Sequence, residues 1–311
     1  ENMDLYERLV RKYDAIGFSI YEDLVADIQG VSRMVSEADS AKRMQIGGGP
    51  MITMAPMRCA YLLDSIDLFI NGEAEMILPE LLKLIGLGNY QQMISDHRGF
   101  LYNPPGLLIL SDFNHCNRPE AFSSFNFNLD FASPEQLKRG LEVNLSRGCS
   151  RSCIFCSNIQ GKHFRSINAD KFDALLEQVS TGSAIESPHI FTEKESERMT
   201  VNINDDDILQ DKVYASRIFD TIMTRKYRIW GIQSALSSFI KKNQIDIELI
   251  DMIDIKQLYM NNEPLVWLGT DAFITERGKK LSKHIPDEKT LLKLVQEFEA
   301  RKIKNIHYWI S

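Results

Sequence analysis

Leu145-Ser146-Arg147-Gly148-Cys149-Ser150-Arg151-Ser152-Cys153-Ile154-Phe155-Cys156 closes an apolar run and gathers three of the chain's five cysteines into eight residues. Three and then two residues separate these cysteines, so one tight loop can carry all three thiolates. Such a set suits a soft metal or an iron–sulfur centre. It is one ligand short of a closed structural site, which leaves a coordination position for something else. The residues just before it, Leu141-Glu142-Val143-Asn144-Leu145, alternate with period two and read as the strand that delivers the loop.

Downstream the pattern repeats. Residues 199–204, 228–233, 264–269 and 305–310 read as strands, and 169–179, 214–223, 246–255 and 289–301 as helices. A β–α series of this kind is the grammar of a whole or partial parallel barrel, with its functional face at the carboxyl ends of the strands. The cysteine loop falls at that end of the first strand, Asp205-Asp206-Asp207 after the second, Gln233-Ser234 after the third and Asp271 after the fourth.

Upstream, strands at 13–20, 44–46 and 66–70 alternate with helices at 2–12, 24–38, 55–63 and 76–85, which implies a second parallel sheet. Ligands in such sheets bind beyond the carboxyl ends of the strands. The loops there carry Ser19 and Tyr21, then Gly48 and Gly49 of Gly47-Gly48-Gly49-Pro50, then Gly72 and Glu73 of Asn71-Gly72-Glu73-Ala74-Glu75. Glycines let a ligand approach the backbone, although Gly-Gly-Gly-Pro lacks the spacing of a dinucleotide fingerprint or a P-loop. Residues 96–138 lose helical regularity: two short strands are expected round Pro104-Pro105-Gly106, followed by a phenylalanine-rich run. The reading divides the chain into residues 1–98, a connector at 99–138, and 139–311.

With 44% hydrophobic and 25% charged residues, the 311-residue chain has the composition of a globular protein. A net charge of −7 argues against a broad nucleic-acid surface. No apolar run approaches the roughly 20 residues of a membrane span. Five cysteines do not make a secreted disulfide framework, so the expected compartment is the reducing cytoplasm. Cys59 and Cys116 read as ordinary thiols.

Two motifs together resemble a known family. Cys149-x-x-x-Cys153-x-x-Cys156, with Phe155 before the last cysteine, matches the hallmark of the radical S-adenosylmethionine superfamily. Gly-Gly-Gly-Pro followed by Asp67-Leu68-Phe69-Ile70-Asn71-Gly72-Glu73-Ala74-Glu75 resembles the latter half of the cobalamin-binding domain that precedes many of those enzymes. The chain departs from the pattern in three places. The two earlier strand–helix units of that domain are not found, an Asp-x-His-x-x-Gly motif is not seen, and the aspartates at 205–207 stand where Gly-Gly-Glu is expected. The expected fold is therefore α/β, a partial Rossmann-like parallel sheet followed by a partial (β/α)6 barrel of the TIM type. Further chain is expected beyond both Glu1 and Ser311.

The resemblance implies a 4Fe–4S cluster held by Cys149, Cys153 and Cys156, with S-adenosylmethionine on the fourth iron. One electron would cleave that cofactor to a 5′-deoxyadenosyl radical, which abstracts hydrogen from a substrate. Phe155 would pack near the adenine, residues of Asp205–Asp207, Asp206 among them, would meet the methionine amine or the ribose, and Gln233, Ser234 and Asp271 are candidate ribose or carboxylate contacts. Cobalamin is implied as a second cofactor, with methyl transfer to an unactivated carbon or phosphorus as the reaction. The implied partners are a small-molecule or peptide substrate and an electron donor such as flavodoxin or ferredoxin. Two alternatives stand beside this reading. One is a radical cyclase or rearrangement enzyme without cobalamin; the other is a non-catalytic zinc or iron–sulfur module using the same cysteines, with His163 completing a zinc site.

Overall fold

The computed structural model describes residues 12–38, 44–75, 77–86, 100–103, 107–111, 127, 129, 137, 140–151, 153, 154, 156, 160–180, 199–269 and 286–308. The helix expected at 2–12 lies outside the described residues. The chain divides into two compact units, Glu1–Ala121 with Ser157–Gly161, and Phe122–Cys156 with Lys162–Ser311.

In the first unit the elements run β1 (Ala15–Ser19), α1 (Val25–Ala38), β2 (Met44–Gly48), α2 (Pro50–Met54), α3 (Pro56–Leu62), β3 (Leu68–Asn71), α4 (Ile77–Gly86), β4 (Phe100–Asn103) and β5 (Leu107–Ser111). The sheet order is β1-β2-β3-β5-β4, with only the edge strand β4 antiparallel. The two short strands expected on either side of residues 104–106, in a connector, are β4 and β5, and they complete this sheet. A bare turn signal says that two strands meet and not which third strand they join.

Alternation along the strands sends successive side chains to opposite faces. Phe69 packs with Ile20, Ile28, Met51, Ile52, Cys59 and Leu63 beneath α1, α2 and α3. Leu68 and Ile70 pack with Ile46, Ile77 and Leu81 beneath α4. The helix expected at 55–63 begins earlier, as two short helices, because Pro50 and Pro56 each occupy a first helical turn, where no amide donor is needed.

In the second unit the order is β6 (Leu141–Val143), β7 (Ser146–Arg147), β8 (Arg165–Ser166), α5 (Ala169–Ser180), β9 (Thr200–Ile203), α6 (Lys212–Thr224), β10 (Arg228–Ile229), β11 (Ile232–Ala235), β12 (Ile240–Lys241), β13 (Gln244–Ile245), α7 (Ile247–Ile253), β14 (Leu265–Gly269), α8 (Glu288–Arg301) and β15 (Lys304–Tyr308). Strands β6, β9 and β10 pair in parallel, as do β11, β14 and β15. The five expected barrel strands are all present. One face of these strands is buried through Leu141, Val143, Val201, Ile203, Ile232, Val266 and Leu268 in the same core as Phe172, Ile218, Phe219, Leu249 and Phe298 of the helices. Residues of the alternate register, Glu142, Gln233 and Ile306, remain exposed.

Side-chain caps set three of the helix starts. Asp211, Asp246 and Asp287 accept from the amides of Tyr214, Leu249 and Thr290 respectively, satisfying donors that the first turn leaves open. Two features depart from the sequence expectation. The third barrel strand is split at Trp230-Gly231, where a Cβ on Gly231 would lie 2.4 Å from the Trp267 ring. A two-residue hairpin loop, Lys242-Asn243, joins β12 to β13 with both φ angles positive (51° and 59°), the twist a tight hairpin requires. No described helix is long and apolar enough to cross a membrane.

Candidate functional site

The carboxyl ends of β6 and β9 are tied together by one buried carboxylate. Asp205 is 2% exposed and accepts from the Leu145 amide at 2.7 Å and the Ser146 hydroxyl at 2.6 Å. Burial pushes its pKa up to about 6, against the hydrogen bonds that favour the anion. Tyr214 of α6 donates to the Leu145 carbonyl at 3.0 Å, so both backbone groups of the residue entering the cysteine loop are held. The Tyr214 hydroxyl is itself pushed upward, first by burial and then by the charges of Asp205 and Asp211.

Asp207, two residues on, is equally buried. It accepts from Ser234 at 2.7 Å and Ser238 at 2.9 Å, and it pairs with Arg151 of the cysteine loop. Burial alone would lower the Arg151 pKa; the Asp207 charge overcomes this and raises it. Gln210 completes the anchorage by accepting from the Ser150 amide and hydroxyl at 2.9 and 2.8 Å and donating to the Gly148 carbonyl at 3.3 Å. Gly148 has a φ of +85° at the turn into the loop, a conformation that a side chain would strain.

None of the three loop cysteines is in a disulfide; Cys149 and Cys153 are half-buried and Cys156 is exposed. The Cys156 amide donates to the Cys153 carbonyl at 3.1 Å, closing a turn between them. The described side chains do not gather three or more His, Cys, Asp or Glu groups into a ready metal cage. Asp206 and Gln233 are both exposed, whereas Ser234 is buried with its hydroxyl spent on Asp207. Phe155 and Asp271 lie outside the described residues. On the face of the strands away from the helices, Glu142 and Asn202 are register partners, and Asn202 Oδ1 is a buried acceptor without a hydrogen-bond partner among the described residues.

In the first unit, the carboxyl ends of β1, β2 and β3 and the loops that follow them hold Ser19 and Tyr21, both exposed, and Gly48, Gly49, Gly72 and Glu73, all half-buried. Gly49 has a φ of +103°, and a Cβ there would meet the Ile20 amide at 2.9 Å. The Thr53 hydroxyl links two of these loops, donating to the Gly49 carbonyl at 3.2 Å and accepting from the Gly72 amide at 3.1 Å. Beside them Gly17, Ser19, Gly48, Ile70, Leu78 and Leu82 help line a mostly apolar pocket of about 440 Å³. A Cβ on Gly17 would meet nothing within 4 Å, and one on Gly48 only the Ile70 carbonyl at 3.8 Å.

No family model matches this sequence, and no curated protein matches it at a significant level. Solved structures do. The chain superposes on the cobalamin-dependent S-adenosylmethionine radical enzyme OxsB with aqua-cobalamin and S-adenosylmethionine bound, with a TM-score of 0.70 and 15% identity, over 98% of this chain and 42% of that one. The chain shares the fold of OxsB. OxsB with aqua-cobalamin alone gives 0.70 at 14% identity, and apo, selenomethionine-labelled OxsB 0.67 at 12%. This chain spans less than half the length of OxsB, and at these identities the likeness is one of fold.

Sequence reading singled out Asp205 and Asp207, but as cofactor contacts and not as anchors of the loop; the loop-holding residues it missed are Gln210, Tyr214, Ser237 and Ser238, with Arg151 inside the motif itself. The partners lie dozens of residues away, and no local period marks them.

Proposed function

We propose that this chain is part of a radical S-adenosylmethionine enzyme in which Cys149, Cys153 and Cys156 hold a 4Fe–4S cluster. The observation that carries the reading is the three-cysteine loop, set at the carboxyl end of the first strand of a parallel barrel layer. The donor set fits the group, since three thiols in one loop, with no fourth ligand beside them among the described residues, leave one iron for a cofactor. Bound there, the cluster would supply the electron that cleaves the carbon–sulfur bond of S-adenosylmethionine.

This chain's residues have the positioning role. Asp205, Tyr214 and Gln210 fix the path into the loop, so the thiols are presented from a rigid rim rather than a free segment. Asn202 Oδ1 offers an unused acceptor on the open strand face, suited to an ammonium or hydroxyl of the cofactor, with Glu142 beside it. Asp206 and Gln233 are exposed and free to turn toward it, and Phe155 and Asp271 remain candidate contacts.

Cobalamin is proposed as the second cofactor. The Gly17 and Gly48 pocket fits an apolar ring system, because an added Cβ would only fill empty space. With cobalamin present the reaction is methyl transfer to an unactivated carbon or phosphorus of a small molecule or peptide, driven by a small electron-donor protein. Free thiolate ligands suit a reducing cytoplasm.

Anaerobic reconstitution with iron, sulfide and hydroxocobalamin tests the reading. Iron and sulfide should enter together, corrin absorbance should stay with the protein, and S-adenosylmethionine with dithionite should yield methionine and 5′-deoxyadenosine. Stoichiometric zinc without iron in anaerobically purified protein would overturn it. A cluster without retained corrin would remove the cobalamin part alone.

A further inference from the structure

We propose that Arg151, in the spacer between the first two cysteines, is a positioning residue that locks the cysteine loop to the second and third strand units and donates an N–H to the Cys149 sulfur. The inference rests on the reading of this loop as an iron–sulfur site. All three guanidinium nitrogens are engaged. Nε donates to Ser237 at 3.0 Å, Nη2 donates to Ser238 at 2.6 Å, and Nη1 pairs with Asp207 while reaching Cys149 Sγ at 3.7 Å. Asp207 is in turn held by Ser234 and Ser238, so the cation has little freedom to swing away. Its side chain is largely withdrawn from water, at 22% exposure, and the carboxylate almost wholly, at 1%.

The geometry needs arginine. A planar fork can serve Ser237, Ser238, Asp207 and a sulfur at once, whereas a lysine ammonium has one nitrogen to place. A buried charge with this many partners is also costly to disturb, because each lost partner leaves another polar group unsatisfied. A cationic donor at a cluster thiolate stabilises the reduced, more negative state, and hydrogen bonds to sulfur are among the levers that set such potentials. Arg151 therefore acts both on how tightly the loop keeps its metal and on how easily the centre accepts an electron.

The test uses the whole chain, reconstituted anaerobically, as wild type, Arg151→Lys, Arg151→Gln and Ser238→Ala. Reductive titration with dithionite, followed by electron paramagnetic resonance, reads the midpoint potential; a ferrous chelator reads cluster loss. Both Arg151 variants should shift the midpoint to more negative values, Gln further than Lys. Ser238→Ala, which keeps the cation but removes one of its anchors, should speed cluster loss, by about tenfold if it behaves as supporting-shell changes generally do. Ser238→Ala also keeps the inference testable if an Arg151 variant misfolds. A wild-type cluster whose potential and chelation rate are unchanged in the folded variants would overturn the role of Arg151 and leave the parent reading standing. Failure of the wild type to take up any iron–sulfur cluster would overturn both.

Discussion

The Leu145 N–H and the Asp205 carboxylate meet at 2.7 Å, one leaving the first barrel strand and the other just beyond the second. With the Ser146 hydroxyl at 2.6 Å, this buried carboxylate decides where the cysteine loop begins. Replacing it by alanine would leave an amide and a hydroxyl buried without an acceptor. We expect Asp205→Ala to lose about 2–4 kcal/mol of stability. Urea unfolding of the metal-free chain measures this; a loss below ~1 kcal/mol would argue that the contact is incidental.

The same residue makes stability depend on pH. Its folded pKa is raised from 3.8 to about 6 by burial. Between those values the unfolded chain has released the proton while the folded chain retains it, so stability falls as pH rises. The contribution is complete below about pH 4 and lost above about pH 6, amounting to about 3 kcal/mol. Asparagine cannot titrate, so wild type should lose stability relative to Asp205→Asn as pH rises through this window, with a constant difference outside it. Parallel pH profiles would refute the assignment.

Filling the first-unit pocket should separate binding from folding. A side chain at Gly17 enters open space. Gly17→Phe is expected to change stability by no more than about 1 kcal/mol, within the range of substitutions that disturb no packing. Retention of corrin after gel filtration should be lost. Undiminished cobalamin retention would remove this pocket from the proposed site.

Gly231 makes the opposite case. A methyl there would run into the Trp267 ring at 2.4 Å and the Leu265 carbonyl at 2.9 Å. Gly231→Ala should therefore cost about 1–3 kcal/mol, as overpacked sites do. Trp267→Leu in the same background should recover part of the loss. Equal stability of Gly231→Ala and wild type would mean that the split strand has another cause.

Cys156 is exposed, so its thiol does little for the fold. Cys156→Ala should leave the metal-free chain within about 0.5 kcal/mol of wild type. Its iron content after reconstitution should nonetheless fall sharply. Unchanged iron loading would exclude Cys156 as a ligand.

Much of the architecture was legible because it is local. Strands such as Leu265–Gly269 and helices such as Ala169–Ser180 carry their own period, and the cysteine motif lies within eight residues. The turn Lys242-Asn243 was not legible, since a lysine in the left-handed region goes against intrinsic preference and is held there by the pairing of Ile240 with Ile245. The break in the third strand was equally hidden, because Gly231 is flattened by a ring 36 residues later in the chain.

Sequence alone thus determined the two β–α series, the positions of most of their strands along the chain and the loop that bears the three cysteines. Periodicity and short-range spacing encode these directly. The tertiary structure decided that Ser234 turns inward to Asp207 while Gln233 faces water, that β4 and β5 complete the first sheet, and that Arg151 is fastened by Ser237, Ser238 and Asp207. Those outcomes depend on contacts between residues far apart in the chain, which exist only once burial has forced each polar group to find a partner.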